Sequence, residues 1–328
     1  MLEHGGGLLR AAAEYGIPPG DWLDLSTGVN PNGWPVPPLS ADGWLRLPQD
    51  HDGLEAAAAE YYGCGQLLPV AGSQPAIQVL PRLRAPCRVG MLTLCYAEHP
   101  YQWQRRGHSV ERFTPDGLAA NIDQLDVVQI CNPNNPTGDR FEPALLEDWR
   151  QRLAERGGWL LVDEAFLDAS PRDSMLPHIG KPGLIVLRSV GKFFGLAGAR
   201  AGFVFAQAAL LQALAEELGP WAMAGPAREA VTLALGDTAW QQSMRSKLLR
   251  DSARLRDCLE RHGLVPAGGC ELFQWVPGEA SLPLHRHLAG RGILSRYFES
   301  LPSLRFGLPS GEQDWARLEQ ALADWRRL

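Results

Sequence analysis

The sequence has little that would tie it to a membrane, a nucleic acid or a disulfide framework. No stretch of about 18 or more apolar residues occurs, and the opening MLEHGGGLLRAAAEYG lacks the basic-then-apolar run of a signal peptide. A cytoplasmic location is the default that follows. Basic residues do not dominate: 31 stand against 37 acidic ones, a formal charge of -6, which leaves no electrostatic footprint for nucleic acid or anionic lipid. Any anionic ligand must therefore be held by local arginines. The six cysteines form no CxxC pair and no Cys/His cluster at metal-ligand spacing, so reduced thiols and no metal are expected. Internal repeats and low-complexity tracts are absent. With 45% hydrophobic content over 328 residues, the chain can bury a large core and still form a second, smaller domain.

What is there has the texture of an α/β enzyme. From Val70 to about Phe205 the strand-like runs CRVGMLTLC, VVQIC, WLLVDEAF, LIVLRSV and AGFVF alternate with amphipathic stretches, which predicts a mostly parallel sheet flanked by helices. After Ala206 the pattern changes to helices over Ala208–Leu218, Ala227–Leu235 and Trp240–His262. A strand-like ELFQWV, a short helix, LRFGLP and a closing helix over 312–328 follow. The expected division is an N-terminal arm over 1–40 that contributes to the small domain and the active site, a large domain over 41–206 and a small α+β domain over 207–328. PNGWPVPPL in the arm is too rich in proline to be regular, but its tryptophan needs burial, so it is expected to be ordered.

The sharpest chemistry lies in RSVGKFFGLAGARAGF. Lys192 follows a strand among small and aromatic residues, where a desolvated lysine loses proton affinity and becomes a nucleophile towards an aldehyde. Ser189 precedes it by three positions and Arg200 follows by eight; a hydroxyl and a guanidinium beside such a lysine suit a phosphate. A lone SxxK would be read as a surface lysine at a strand end, but two further strings count against that. NPNNPTG, 132–138, makes a tight turn at the C-terminal end of a strand, where open α/β sheets bind ligands, and offers the amide of Asn135. VDEAF ends an apolar strand on Asp163, whose carboxylate needs a cationic partner such as a protonated pyridine nitrogen.

Weaker signals support these. VAGSQPAIQVL runs from a glycine turn into a helix with Pro75 near its first position, so backbone N–H groups around Ser73 and Gln74 can cradle a phosphate. Tyr96 follows another strand and can stack on a flat ring, unless it is simply a core tyrosine. Arg305 in LRFGLP is a guanidinium in an apolar strand, suited to a substrate carboxylate or an internal salt bridge. Arg296 in ILSRYF, His4 and Asn30 are candidates for a second anionic group of the substrate, with a structural surface role as the plain alternative for Arg296. The HxH at His285 and His287 reads as a solvated helix face rather than a metal site.

In this order and spacing the motifs resemble the fold-type I pyridoxal-5′-phosphate (PLP) enzymes, in the branch that contains histidinol-phosphate aminotransferases and threonine-phosphate decarboxylases. The resemblance covers nearly the whole chain. It implies that Lys192 carries PLP as a Schiff base, Asp163 pairs with the pyridinium, Asn135 bonds the ring oxygen and also borders the substrate, and Tyr96 stacks on the ring. Ser73, Gln74, Ser189 and Arg200 would hold the cofactor phosphate, and Arg305 the substrate α-carboxylate. The opening HGG, the RAAAEYG helix and DLSTGVNPNG resemble the decarboxylases of cobalamin synthesis, and Phe166 stands where the aminotransferases carry a tyrosine. The implied activity is decarboxylation of L-threonine O-3-phosphate, with histidinol-phosphate-type transamination as the alternative, in a homodimer. One departure is Arg46-Leu47-Pro48, where relatives show an RYP-like triplet whose tyrosine reaches the partner's cofactor phosphate; Tyr61 and Tyr62 are the nearby substitutes.

Overall fold

The structure, a computed structural model, describes residues 4–327. Its contacts divide the chain into two compact units. The smaller takes the residues up to Asn32, Pro136–Asp139 and the chain from Ser243 onward; the larger takes Gly33–Asn135 and Arg140–Gln242. The smaller unit begins with a helix over Leu8–Tyr15, ended by Gly16 in the left-handed region, and a short strand β1, Leu23–Asp24.

The larger unit is built on seven strands: β2 Leu67–Val70, β3 Arg88–Leu92, β4 Ser109–Phe113, β5 Val127–Cys131, β6 Trp159–Asp163, β7 Leu184–Ser189 and β8 Gly202–Phe205. Their order is β2-β8-β7-β6-β5-β3-β4. Pairings from β4 through β7 are parallel, while β8 runs antiparallel to both its neighbours. The central strands are buried on both faces, as continuous runs such as VVQIC and LIVLRS require once helices cover the sheet. The mostly parallel sheet is as expected; β2 and β4 were not anticipated, since LLPV is short and holds a proline and SVERF carries few of the apolar signals of a central strand.

The units do not follow the expected boundary at 206. The helices Ala208–Leu218 and Gly225–Gly236 lie in the larger unit, the first packed on β2 and on the helix Ser73–Val79, the second on the helix Leu54–Tyr62. The change of texture at Ala206 marks the end of the sheet's strands and not the end of its layers, because the sheet still needs helices to cover it. The arm segment is irregular but ordered: Trp34 is buried, its backbone N–H donates to the Phe194 carbonyl (2.8 Å), and its indole donates to Asp237 (3.1 Å).

The smaller unit continues with β9 Gly268–Cys270, β10 Phe273–Pro277, β11 Ile293–Leu294, β12 Arg296–Phe298 and β13 Ser303–Gly307. Four of these form an antiparallel sheet in the order β12-β13-β10-β9, and β11 pairs with β1 in parallel. The N-terminal helix seats Ala11 and Ala12 against Ala289, Leu294 and Trp22, so the arm's first half is part of this unit's core.

Candidate active site

The expected cofactor residues all belong to the larger unit and gather at the C-terminal ends of its parallel strands. Asp163 is the last residue of β6 and faces Cys131, the last of β5, as its Cα partner. Strand-end carboxylates buried this deeply need donors. One Asp163 oxygen accepts from the backbone N–H of Ala165 (3.1 Å) and the other from His99 Nε2 (2.9 Å). His99 is itself buried, and its ring meets the Tyr96 ring edge-on at 5.7 Å.

Cys131 is fixed from the same side: the backbone N–H groups of Tyr96 and Asn135 point to its sulfur, and burial, then Asp163, push the thiol well up. The ligand atoms of His99, Cys131 and Asp163 lie within 4.8 Å of one another, but the direct His99–Asp163 hydrogen bond accounts for that closeness without an ion. Burial likewise pushes the Tyr96 hydroxyl up, so it stays protonated. The NPNNPTG turn is locked to these neighbours, with Asn134 donating to the Leu94 carbonyl (2.9 Å) and Asn132 exchanging bonds with the Phe141 backbone (both 3.0 Å).

Lys192 lies just past β7, with Nζ 5.2 Å from the centre of the Phe166 ring. The chain has only two other lysines: Lys181 pairs with Glu147 (2.7 Å) and Lys247 with Asp251 (2.8 Å). Ser189 ends β7 opposite Gly202, and a Cβ at Gly202 would come within 3.1 Å of the Ser73 nitrogen. Arg200 closes the same corner. A Cβ at Gly72 would lie 2.8 Å from its guanidinium, and Arg200 itself takes φ 51, a left-handed conformation that few non-glycine residues adopt. Gln74 turns its amide to Glu98 (2.7 Å), which leaves its backbone N–H beside that of Ser73 at the helix start. Ser73, Ser189 and Arg200 thus converge around a corner that only glycines at 72 and 202 leave open.

The expected substrate residues belong to the smaller unit. Arg305 on β13 is the Cα partner of Arg296 on β12, so both side chains stand on one face of the sheet. Arg305 is buried, with its guanidinium 5.1 Å from the centre of the Phe273 ring and one N–H donated to the Ser26 carbonyl (2.7 Å). Ser26 is held in turn: its hydroxyl and its N–H donate to Asp24, and its hydroxyl oxygen accepts from the Gly6 backbone (2.8 Å). A side chain at Gly5 would collide with the Ser26 carbonyl, which is why the HGG string needs glycine there. His4, Arg10, Ser26, His285, Arg286 and Arg296 line one cavity of about 410 Å³. Asn30 is buried and caps a turn through Asn32 N–H (2.9 Å).

Two expectations are corrected, and one segment shows elements that were not anticipated. The HxH pair is no solvated face: His285 stacks on Tyr297 and bonds Ser295 Oγ (2.9 Å), while His287 packs on Trp325 and donates to the Ala321 carbonyl. ILSRYF contains β11 and β12, strands too short for their periodicity to show. Tyr62 cannot replace the interface tyrosine, because its hydroxyl is buried and its ring packs on Phe203, Phe205 and Arg188. Sequence reasoning missed His99, although it follows the proposed stacking residue Tyr96 by a single turn, and it missed Cys131.

The family model for class I and II aminotransferases matches residues 45–316. The chain belongs to the class I and II aminotransferase family. Among its relatives in that family is a threonine-phosphate decarboxylase from Pseudomonas aeruginosa, 53% identical, with 99% of this chain and 98% of the relative covered. Another threonine-phosphate decarboxylase, from a Sinorhizobium species, is 42% identical with 98% of both chains covered. In fold the chain is similar to a histidinol-phosphate aminotransferase from Sinorhizobium meliloti solved in complex with pyridoxal-5′-phosphate. There the TM-score is 0.83 at 21% identity, over 99% of this chain and 95% of that one. Class I and II aminotransferase architecture therefore underlies both units.

Proposed function

We propose that the chain is a PLP-dependent carboxy-lyase that converts L-threonine O-3-phosphate to (R)-1-amino-2-propanol O-2-phosphate, the linker of cobalamin's nucleotide loop. The observation that carries this reading is Arg296 in register beside Arg305. Two guanidinium groups on one sheet face suit a ligand that carries two anionic groups. Arg305, oriented by Ser26, takes the carboxylate; Arg296, with His4 and Asn30, takes the phosphate. The full-length likeness to threonine-phosphate decarboxylases supports the same substrate.

PLP fits the larger unit's residues. The corner kept open by Gly72 and Gly202 suits a phosphate beside Arg200, Ser189 and the Ser73 and Gln74 amides, and Lys192 stands just past β7 with its Nζ over the Phe166 ring. When bound there, the cofactor supplies an electron sink for the pair left at Cα as carbon dioxide departs. Asp163, hydrogen-bonded by His99, would keep the ring nitrogen protonated, Tyr96 would cover the ring and Asn135 would bond its oxygen. Phe166 lines the pocket without offering a hydroxyl, so Asn135 is the main partner for that oxygen. Lys192 would hold the cofactor and act as the acid that returns a proton to Cα.

The reading includes a homodimer. Trp44, Leu45, Leu47 and Trp221 are exposed in the larger unit, and Trp221 lines one cavity with Pro48, Gln49 and Asp50, so apolar surface is concentrated there. Sedimentation at assay concentration should give a dimer; a fully active monomer would rule it out. No helix among the described residues is long and apolar enough to cross a membrane, and a cytoplasmic site of action is supported by six free cysteines. The deciding assay incubates the PLP-loaded protein with L-threonine O-3-phosphate and, in parallel, with histidinol phosphate plus 2-oxoglutarate. Carbon dioxide and aminopropanol phosphate from the first are expected. Glutamate from the second without carbon dioxide from the first would hand the chain to transamination.

A further inference from the structure

Beneath the proposed cofactor residues lies a buried charge cluster that none of the roles above uses. Arg188, the residue before Ser189 on β7, is 2% exposed, and it meets Glu164, 0% exposed, and Asp168, 1% exposed. Its Nη1 donates to Asp168 Oδ1 (2.8 Å). Its Nη2 lies 2.9 Å from Glu164 Oε2 and donates to Ser174 Oγ (2.9 Å). Glu164 is held further by the Ser174 hydroxyl and the Met175 backbone N–H, both at 2.7 Å.

The partners of this guanidinium are placed in a telling order. Asp163, the last residue of β6, turns its carboxylate to His99, and Glu164, the next residue, turns its own to Arg188. Phe166, two residues on, carries Lys192 Nζ over its ring, and Asp168, two more, returns to Arg188. Residues 163 and 166 thus serve the proposed cofactor site, while 164 and 168, on the same turn of chain out of β6, grip a side chain of the neighbouring strand. Arg188 stands on the strand that leads directly into Ser189 and Lys192. Two buried carboxylates on one guanidinium are costly to assemble and unforgiving to break, which makes the connection stiff.

We propose that Arg188 is a positioning residue: by binding Glu164 and Asp168 together it sets where Asp163 and Phe166 stand relative to Lys192. The proposal rests on the cofactor reading above, and the experiment separates the two. A visible absorption band on adding PLP to wild type, lost in Lys192→Ala, establishes the cofactor lysine independently of Arg188; with no such band, the cofactor reading fails first and takes the proposal with it. Given the band, Arg188→Lys keeps a cation but cannot span two carboxylates, and Glu164→Gln keeps the shape while removing one charge.

Both variants should still bind PLP. The pH midpoint of the band should move by about half a unit or more, because the surroundings of the lysine nitrogen have shifted. Per bound cofactor, kcat should fall by roughly 10- to 100-fold with KM within about twofold, as expected when reacting groups are displaced by a fraction of an ångström to an ångström. A purely structural cluster would lower the melting temperature and leave both readouts unchanged. A fully loaded variant with wild-type midpoint and wild-type kcat therefore overturns the proposal, whatever its melting temperature. If Arg188→Lys does not fold, Glu164→Gln decides alone.

Discussion

The two regions that carry the proposed chemistry treat charge in opposite ways. At the strand ends of the seven-stranded sheet, ionisable groups are matched by other groups of the protein: Asp163 by His99, Arg188 by Glu164 and Asp168. On the four-stranded sheet two arginines stand side by side, Arg296 against Arg305, and in the proposed reading they meet the two anionic groups of the substrate. The first pattern keeps a site's geometry fixed while a reaction runs in it. The second, on this proposal, directs binding energy to the correct substrate. The proposal thus houses chemistry and substrate choice in different units, so that substitutions in one should leave the other's property intact.

The largest test of that separation is Lys192→Ala. Activity should fall by about 10⁴-fold or more, with loss of the visible band, since both remaining lysines are paired elsewhere. Binding of the substrate's anionic ends to the smaller unit should persist. A borohydride-reducible PLP adduct on Lys181 or Lys247 in the variant would break the assignment. Next in size, Asp163→Asn should retain much of the cofactor but lower kcat by roughly 10²-fold, because an amide cannot hold the ring nitrogen protonated. Turnover near wild type would remove Asp163 from the mechanism.

Smaller still, His99→Phe should keep the edge-on packing with Tyr96 while removing a donor to a buried carboxylate. A loss of about tenfold in kcat is expected, from a hydrogen bond to a charged group worth roughly 1.5–3 kcal/mol. If its effect equalled that of Asp163→Asn, His99 would do more than orient Asp163, and the ranking would need revision.

The sequence was most legible where chemistry sits on strand ends. VVQIC followed by NPNNPTG, LLVD and LRSVGK each couple an apolar run to a turn or a charge, and each lands where such a run places it. What could not be read was register. Cys131 opposite Asp163 and Arg296 opposite Arg305 are cross-strand pairs, fixed only once the strands align. Glu164 and Arg188 stood inside quoted strings, yet their meeting depends on the parallel pairing of β6 with β7. The smaller unit was the harder one, since strands such as Arg296–Phe298 are too brief for alternation to show, and the arm joins it through glycine contacts with Ser26 that carry no hydrophobic signal.

The central claim, that the smaller unit chooses the substrate by its phosphate while the larger unit does the chemistry, is tested most directly by Arg296→Ala assayed on threonine phosphate and on unphosphorylated threonine. Losing one charge-assisted contact should lower kcat/KM for threonine phosphate by roughly 10- to 150-fold. The slow reaction with threonine should barely change, and the visible band of the bound cofactor should stay as in wild type. Equal losses on both substrates would contradict the account, because Arg296 would then be supporting the fold or the chemistry and not recognising the phosphate.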